Sequence, residues 1–141
     1  MEIKSGAVSK ADTTNPKDLL GAKKVSFTSV PPIAIAHEAV AMMDGAAKYG
    51  PYNWRDKKVQ ARIYVDAALR HITSWFEGEE YAQDSGVHHL GHGRACLGIL
   101  LDAITTGNLI DDRPIKTESA AAYAKAVDKI NGLIKSKSNG S

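Results

Sequence analysis

Residues 85–107, SGVHHLGHGRACLGILLDAITTG, decide how the rest of the chain folds. Apolar residues recur there at helical spacing, Asp84 or Ser85 can cap the first amides, and Gly107 stands where a helix ends. Gly91, Gly93, Ala95 and Gly98 keep the helix thin. Small residues at turn spacing let neighbouring helix backbones come close, so this helix is expected at the centre of the fold. On its wheel His88, His92, Ala95, Ile99 and Asp102 fall in one stripe, which sets ionisable groups beside apolar ones.

Helical patterning continues outward from this segment. Towards the N-terminus, a helix runs from about Lys57 to Phe76, with Ile63, Ala67, Leu69, Ile72 and Phe76 expected to face the core. Before it, SVPPIAIAHEAVAMMDGAAKYG places two prolines in a first turn and Gly50 at a stop. Only KKVSFTSV, residues 23–30, alternates like a strand, and it is short enough to be an extended arm. Towards the C-terminus, NLIDDRP is a turn-rich connector, followed by a fourth helix with Tyr123, Val127, Ile130 and Ile134 near one face. That helix is expected to pack on the bundle or on a second subunit, and SKSNGS is expected to fray. The fold class is all-α, a bundle of about four helices with an irregular N-terminal arm.

The 141 residues suit one domain of the usual ~100 to 200 residues. The near-balanced charge of +2 argues against a general nucleic-acid binder but leaves room for a small polyanion held by a few cations. No long apolar run spans a bilayer, no secretory leader opens the chain, and a lone cysteine, Cys96, fits a reducing compartment. A cytoplasmic protein is expected, with neither membrane nor nucleic acid among its partners.

Polar residues cluster where a plain bundle would not need them. In GEEYAQDSGVHHLGH, residues 78–92, Glu79, Glu80 and Asp84 are hard oxygen donors suited to Mg²⁺ or Mn²⁺, and His88, His89 and His92 follow at once. The loop KYGPYNWR adds Lys48 and Arg55 for phosphate oxygens, Asn53 to read a base edge and Trp54 to stack on a base. His71 sits among Tyr64, Ala67 and Trp75. Taken singly, each has a bland reading: a hydrogen-bonded interior histidine, a surface pair such as Asp44 with Lys48, a solvated Asp66–Arg70–Glu77 face, a tryptophan plugging the bundle end. No Walker loop, dinucleotide fingerprint, nucleophile elbow or zinc-type cysteine pair is present, and no histidine adjoins an aspartate.

NPKDLLGAKK, GAAKYGPYNWR, YVDAALRHITSWFEGEEYAQDSGVHHLGH and LLDAITTGNLIDDRP, in this order, resemble the phage-borne dATP/dGTP diphosphohydrolase domain, a relative of the MazG-like all-α nucleotide pyrophosphohydrolases. The resemblance covers residues 15–114, leaving 1–14 as a flexible N-terminus and 115–141 as a C-terminal helix and tail. It implies metal-dependent hydrolysis of a purine nucleoside triphosphate, dGTP or GTP foremost and dATP next, to monophosphate and pyrophosphate in phage nucleotide metabolism within the host cytoplasm. It also implies two or more Mg²⁺ or Mn²⁺ ions per site and a homo-oligomer, dimer or tetramer.

The Glu-x-x-Glu and Glu-x-x-Asp pairs usual in MazG-like enzymes do not occur in that form. On the matching blocks Glu79, Asp84 and Asp102 are the expected metal ligands, with Asp66 and Glu38 next. Glu79, Asp84, His89 and His92 are the expected catalytic set. Lys48, Arg55, Arg70 and His71 are assigned to phosphate, and Asn53, Trp54, Lys17 and Asp18 to the base. The alternative is a non-catalytic helical module that binds a nucleotide or a host protein.

Overall fold

A computed structural model describes residues 15–115 and 118–140, and the expected flexible segment 1–14 lies outside them. The described chain is all-α. Its helices are α1 (Pro16–Gly21), α2 (Pro32–Tyr49), α3 (Asn53–Asp56), α4 (Ala61–Phe76), α5 (His89–Thr106) and α6 (Ser119–Asn139). Two short strands, β1 (Val59–Gln60) and β2 (Leu109–Ile110), pair in parallel with Val59 opposite Leu109.

α5 is the centre, packed against α2 on one side and α4 on the other. The small residues explain how. Gly91, Gly93, Ala95 and Ala103 are buried, and at Gly91 the backbone of His37 comes so close that a Cβ would lie 2.6 Å from its carbonyl oxygen. Among the described residues the buried apolar ones are correspondingly small: six alanines (41, 61, 68, 82, 95, 103) and two valines, Val59 and Val87.

Several expectations change. Residues 23–30 form a bend and a one-turn 3-10 helix at Phe27–Ser29 instead of a strand. α4 begins at Ala61, because Val59 and Gln60 are drawn into the strand pair and the Arg62 amide donates to Asp112 Oδ1 at 2.8 Å. Its face against α5 is Ala61, Tyr64, Ala68 and His71; Ile63, Leu69, Ile72 and Phe76 are exposed. The reason is the thinness of α5: alanine on α4 permits the closest approach, and larger side chains turn to the flanks.

α5 starts at His89, later than its capping residues suggest. Tyr81 and His88 form an antiparallel bridge, and the Ala82 and His89 amides donate to Val87 and Glu80 carbonyls, closing a turn over residues 83–86. His88 Nδ1 caps the helix by accepting from the Leu90 amide at 3.0 Å. α6 runs on to Asn139 through the stretch expected to fray, and its apolar side chains are exposed except Val127, which is half-buried.

Candidate functional site

A cavity of about 590 Å³ opens between α2, α3 and α5, with Tyr64 of α4 at its side. Its floor is made by Ala41 and Met42 from α2 and by Ala95, Gly98 and Ile99 from α5. Ala41, Ala95 and Gly98 leave the room; the polar groups stand at the two ends.

At one end Asp102 holds two partners delivered by the chain 47 and 48 residues earlier. Arg55 donates from Nε (2.9 Å) and Nη2 (2.8 Å) to its two oxygens, and the Trp54 indole Nε1 donates at 2.7 Å. The Arg55 bonds and then the indole bond hold the Asp102 carboxyl down at about 2. Arg55 also lies 4.5 Å above the Tyr52 ring, whose centroid is 5.0 Å from Trp54. Tyr52 has φ 55°, the one non-glycine residue in the left-handed region among those described, and it starts α3. Non-glycine residues pay for that conformation and keep it where the surroundings enforce it. Asn108, just past α5, secures the same corner by donating to the carbonyls of Trp54 (3.2 Å) and Arg55 (3.0 Å).

At the other end Lys48 bonds Asp44 at 2.9 Å, which raises the lysine pKa. His92 lines this end, within electrostatic reach of Asp44, Asp84 and Lys48. Burial pushes His92 below its ordinary value and the two aspartates only partly oppose it. Its Nε2 lies 2.8 Å from Ser85 Oγ, and that oxygen also accepts from the Val87 amide at 3.2 Å.

Behind His92 runs a chain of imidazoles. His71 stacks on it with centroids 4.5 Å apart, and His71 Nδ1 lies 2.8 Å from Nδ1 of His89. His89 Nε2 in turn lies 2.6 Å from Glu79 Oε1. The bond to His89 holds Glu79 below its ordinary pKa, so Glu79 is an ionised acceptor and His89 Nε2 carries the proton. His71 Nδ1 and His89 Nδ1 share the next bond of the chain, with His71 as donor in the tautomer that leaves its Nε2 free. His71 is pushed down by burial, then by His92 and His89, which leaves its Nε2 bare near neutral pH. His89 is the buried polar residue this chain of bonds satisfies. His37 and His88 stand beside the cluster with rings 4.8 Å apart, so every histidine of the sequence gathers at this junction.

The expected site residues are thus only partly assembled. Lys48, Asn53, Trp54, Arg55, His92 and Asp102 line one cavity, and His71, His89 and Glu79 lie behind it. Asp84 caps the Ser85 amide at 2.9 Å within reach of Lys48 and His92. Glu38 lies 3.7 Å from Arg94 and points towards Gly98, outside the cavity lining. Asp66 and Arg70 share a shallow groove on the outer side of α4. Lys17 and Asp18 lie exposed on α1, outside the lining.

The residues expected to hold metal are not brought together. Among the described residues no three His, Cys, Asp or Glu side chains are grouped to hold an ion. Asp102 is spent on Arg55 and Trp54, and Glu79 on His89 and Gln83. Sequence reasoning missed Tyr52, Tyr64, Ser85 and Cys96, and read Asp44 only as a surface partner of Lys48. Tyr52 could have been found in the KYGPYNWR block; Cys96 and Tyr64 carry no local signal.

A family model described as dATP/dGTP diphosphohydrolase, N-terminal, matches residues 14–113, and the chain belongs to that family. No curated protein and no solved structure matches the chain. Membership implies a hydrolase acting on a nucleotide. Among the described residues no helix is long and apolar enough to cross a membrane.

Proposed function

Starting from that membership, we propose that the chain hydrolyses a purine deoxynucleoside triphosphate, dGTP ahead of dATP, to the monophosphate and pyrophosphate, with the substrate seated in the cavity between α2, α3 and α5. One observation carries the placement: an apolar floor bounded by an aromatic corner at one end and a Lys48–His92 corner at the other. That is the distribution of chemistry along a nucleotide. The base stacks at the Tyr52–Trp54 corner, where Asn53 offers an amide to its edge. Asp102 positions this corner, since its bonds fix both the indole and the guanidinium.

The phosphates extend towards Lys48 and His92. Lys48 supplies a positive charge there, placed to offset charge developing on the leaving pyrophosphate, while Arg55 keeps donors beyond those given to Asp102 for the part of the nucleotide nearest the aromatic corner. His71 and His92, kept neutral by burial, are the proton acceptors nearest that end. The role proposed for Glu79 and His89 is to fix the tautomer of His71. Mg²⁺ is commonly held by one or two carboxylates plus substrate phosphates; Asp44 and Asp84 are the carboxylates at this end, and a dependence on Mg²⁺ or Mn²⁺ belongs to the proposal on that footing. The domain corresponds to residues 15–114, with phage nucleotide metabolism as its setting.

A product screen tests this reading: the eight common ribo- and deoxyribonucleoside triphosphates, each with Mg²⁺, Mn²⁺ or chelator, assayed for monophosphate and pyrophosphate. Pyrophosphate release from dGTP or dATP is expected. Thermal stabilisation by a nucleotide without any turnover would leave a binding module, and no response to any of the eight would remove the nucleotide from the cavity.

A further inference from the structure

We propose that Asn108 is a positioning residue for the base: its side-chain amide holds the main chain of Trp54 and Arg55 in the place where the nucleotide gains its affinity. The inference rests on the seating of the base at the Tyr52–Trp54 corner. α3 is four residues long, so it cannot satisfy its own last carbonyls. Lys57 closes the single turn by donating to the Asn53 carbonyl, and the backbone then becomes extended. In a longer helix the Val59 amide would bond the Arg55 carbonyl. It donates instead to the carbonyl of Asn108 at 3.0 Å, beside the parallel pairing of β1 with β2. Asn108 returns what this exchange removes. Its Nδ2 donates to the Arg55 carbonyl at 3.0 Å and to the Trp54 carbonyl at 3.2 Å, so one amide group caps both acceptors.

The end of α5 thereby grips α3 twice. Asp102 takes the Trp54 indole and the Arg55 guanidinium, and Asn108 takes the main chain of the same two residues. Asp102 holds only the tips of two long side chains, which can swivel as the backbone beneath them shifts; the main-chain bonds remove that freedom. Tyr52 leads into the turn with φ 55°, a conformation that a non-glycine residue leaves once its surroundings let go. The corner is therefore expected to relax when Asn108 loses its amide. The fold is not. The Asn108 backbone amide donates to the Ala103 carbonyl at 2.9 Å and its backbone carbonyl accepts from Val59, so the helix end and the strand pair use main-chain groups that a substitution keeps. Both bonds of the side chain go to the corner.

The test compares the full wild-type chain with Asn108→Ala, which removes both donors, and Asn108→Asp, which turns a carboxylate towards two carbonyl oxygens. With dGTP or dATP, KM (or Kd, where binding occurs without turnover) should rise on the order of tenfold in Asn108→Ala and further in Asn108→Asp, with kcat held within about twofold. Inorganic tripolyphosphate, which has the phosphates and lacks the base, should compete equally well for all three proteins. Without any nucleotide, the Trp54 indole N–H followed by proton NMR should exchange with solvent faster in both variants, and that of Trp75 should not change. Equal KM in the three proteins overturns the proposal. So does a loss of tripolyphosphate binding in step with nucleotide, which would make Asn108 a support of the whole fold. A wild type that neither turns over nor binds dGTP or dATP overturns the nucleotide reading and this role with it, whereas a failure confined to the variants leaves that reading standing.

Discussion

Replacing Gly91 by alanine measures how tightly α2 is drawn onto α5. In an open helix interior the change helps by about 1 kcal/mol, because glycine surrenders more backbone entropy than alanine. At Gly91 the new Cβ would stand 2.6 Å from the His37 carbonyl oxygen and 3.0 Å from its carbon. Those are backbone atoms of α2 and cannot swing aside, so the helix itself must move. Overpacking costs about 1–3 kcal/mol, and so short a contact against backbone belongs at about 3 kcal/mol. Subtracting the helix gain leaves Gly91→Ala less stable by about 2 kcal/mol. Gly45→Ala is the control: it lies in α2 and its Cβ meets nothing within 4 Å, so only the gain of about 1 kcal/mol remains. The two variants should differ by about 3 kcal/mol, which at roughly 2–4 °C per kcal/mol separates their melting temperatures by about 6–12 °C. Thermal unfolding followed by far-ultraviolet circular dichroism, at matched protein concentration, reads the difference. If Gly91→Ala melts with Gly45→Ala or above it, the close approach of the two helices is wrong.

Asp102→Asn keeps one acceptor oxygen but loses the charge and turns the second into a donor facing Arg55 or Trp54; indole emission should shift and nucleotide affinity should fall by on the order of tenfold, the effect of losing one charge-assisted bond. For pH, His71 and His92 are held below their unfolded value of about 6.5, so the folded state binds fewer protons. Their contribution is full above that value and declines as pH falls below it; urea midpoints should drop between pH 7.5 and 5.5, and His71→Gln should flatten the slope. Asp102, at about 2 against an ordinary value of 3.8, acts in a lower window. Its contribution is present above 3.8 and disappears as pH falls towards 2, and in Asp102→Asn that limb of the acid titration should be missing. Burial raises the Cys96 thiol pKa, so alkylation by iodoacetamide at pH 8 should be slower than for a free thiol; nucleotide in the cavity should slow it again, as mass spectrometry would show.

The membership in a nucleotide hydrolase family and the all-α class were both legible in the residues, because each rests on patterns that are local to short segments, taken in order along the chain. Small residues on α5 announced its central place, and Gly50 and Gly107 ended helices where expected. α4 was read in the right place with its faces misassigned. Periodicity finds an apolar stripe but not what it faces, and Leu69 and Phe76 point away from α5 while Ala61 and Ala68 touch it. The acidic run 79–84 looked like a ligand set because its residues are adjacent in the chain. In space Glu79 turns to His89, Asp84 to its own turn and Asp102 to Trp54 and Arg55.

Local spacing, then, determined the helices, their ends and the thinness of the central one, since backbone geometry repeats every few residues and small side chains act where they stand. Only the tertiary structure decided which polar groups share a cavity. Trp54 and Asp102 meet across 48 residues and His71 and His89 across 18. Such meetings depend on the angle and separation of packed helices, quantities that no single segment encodes.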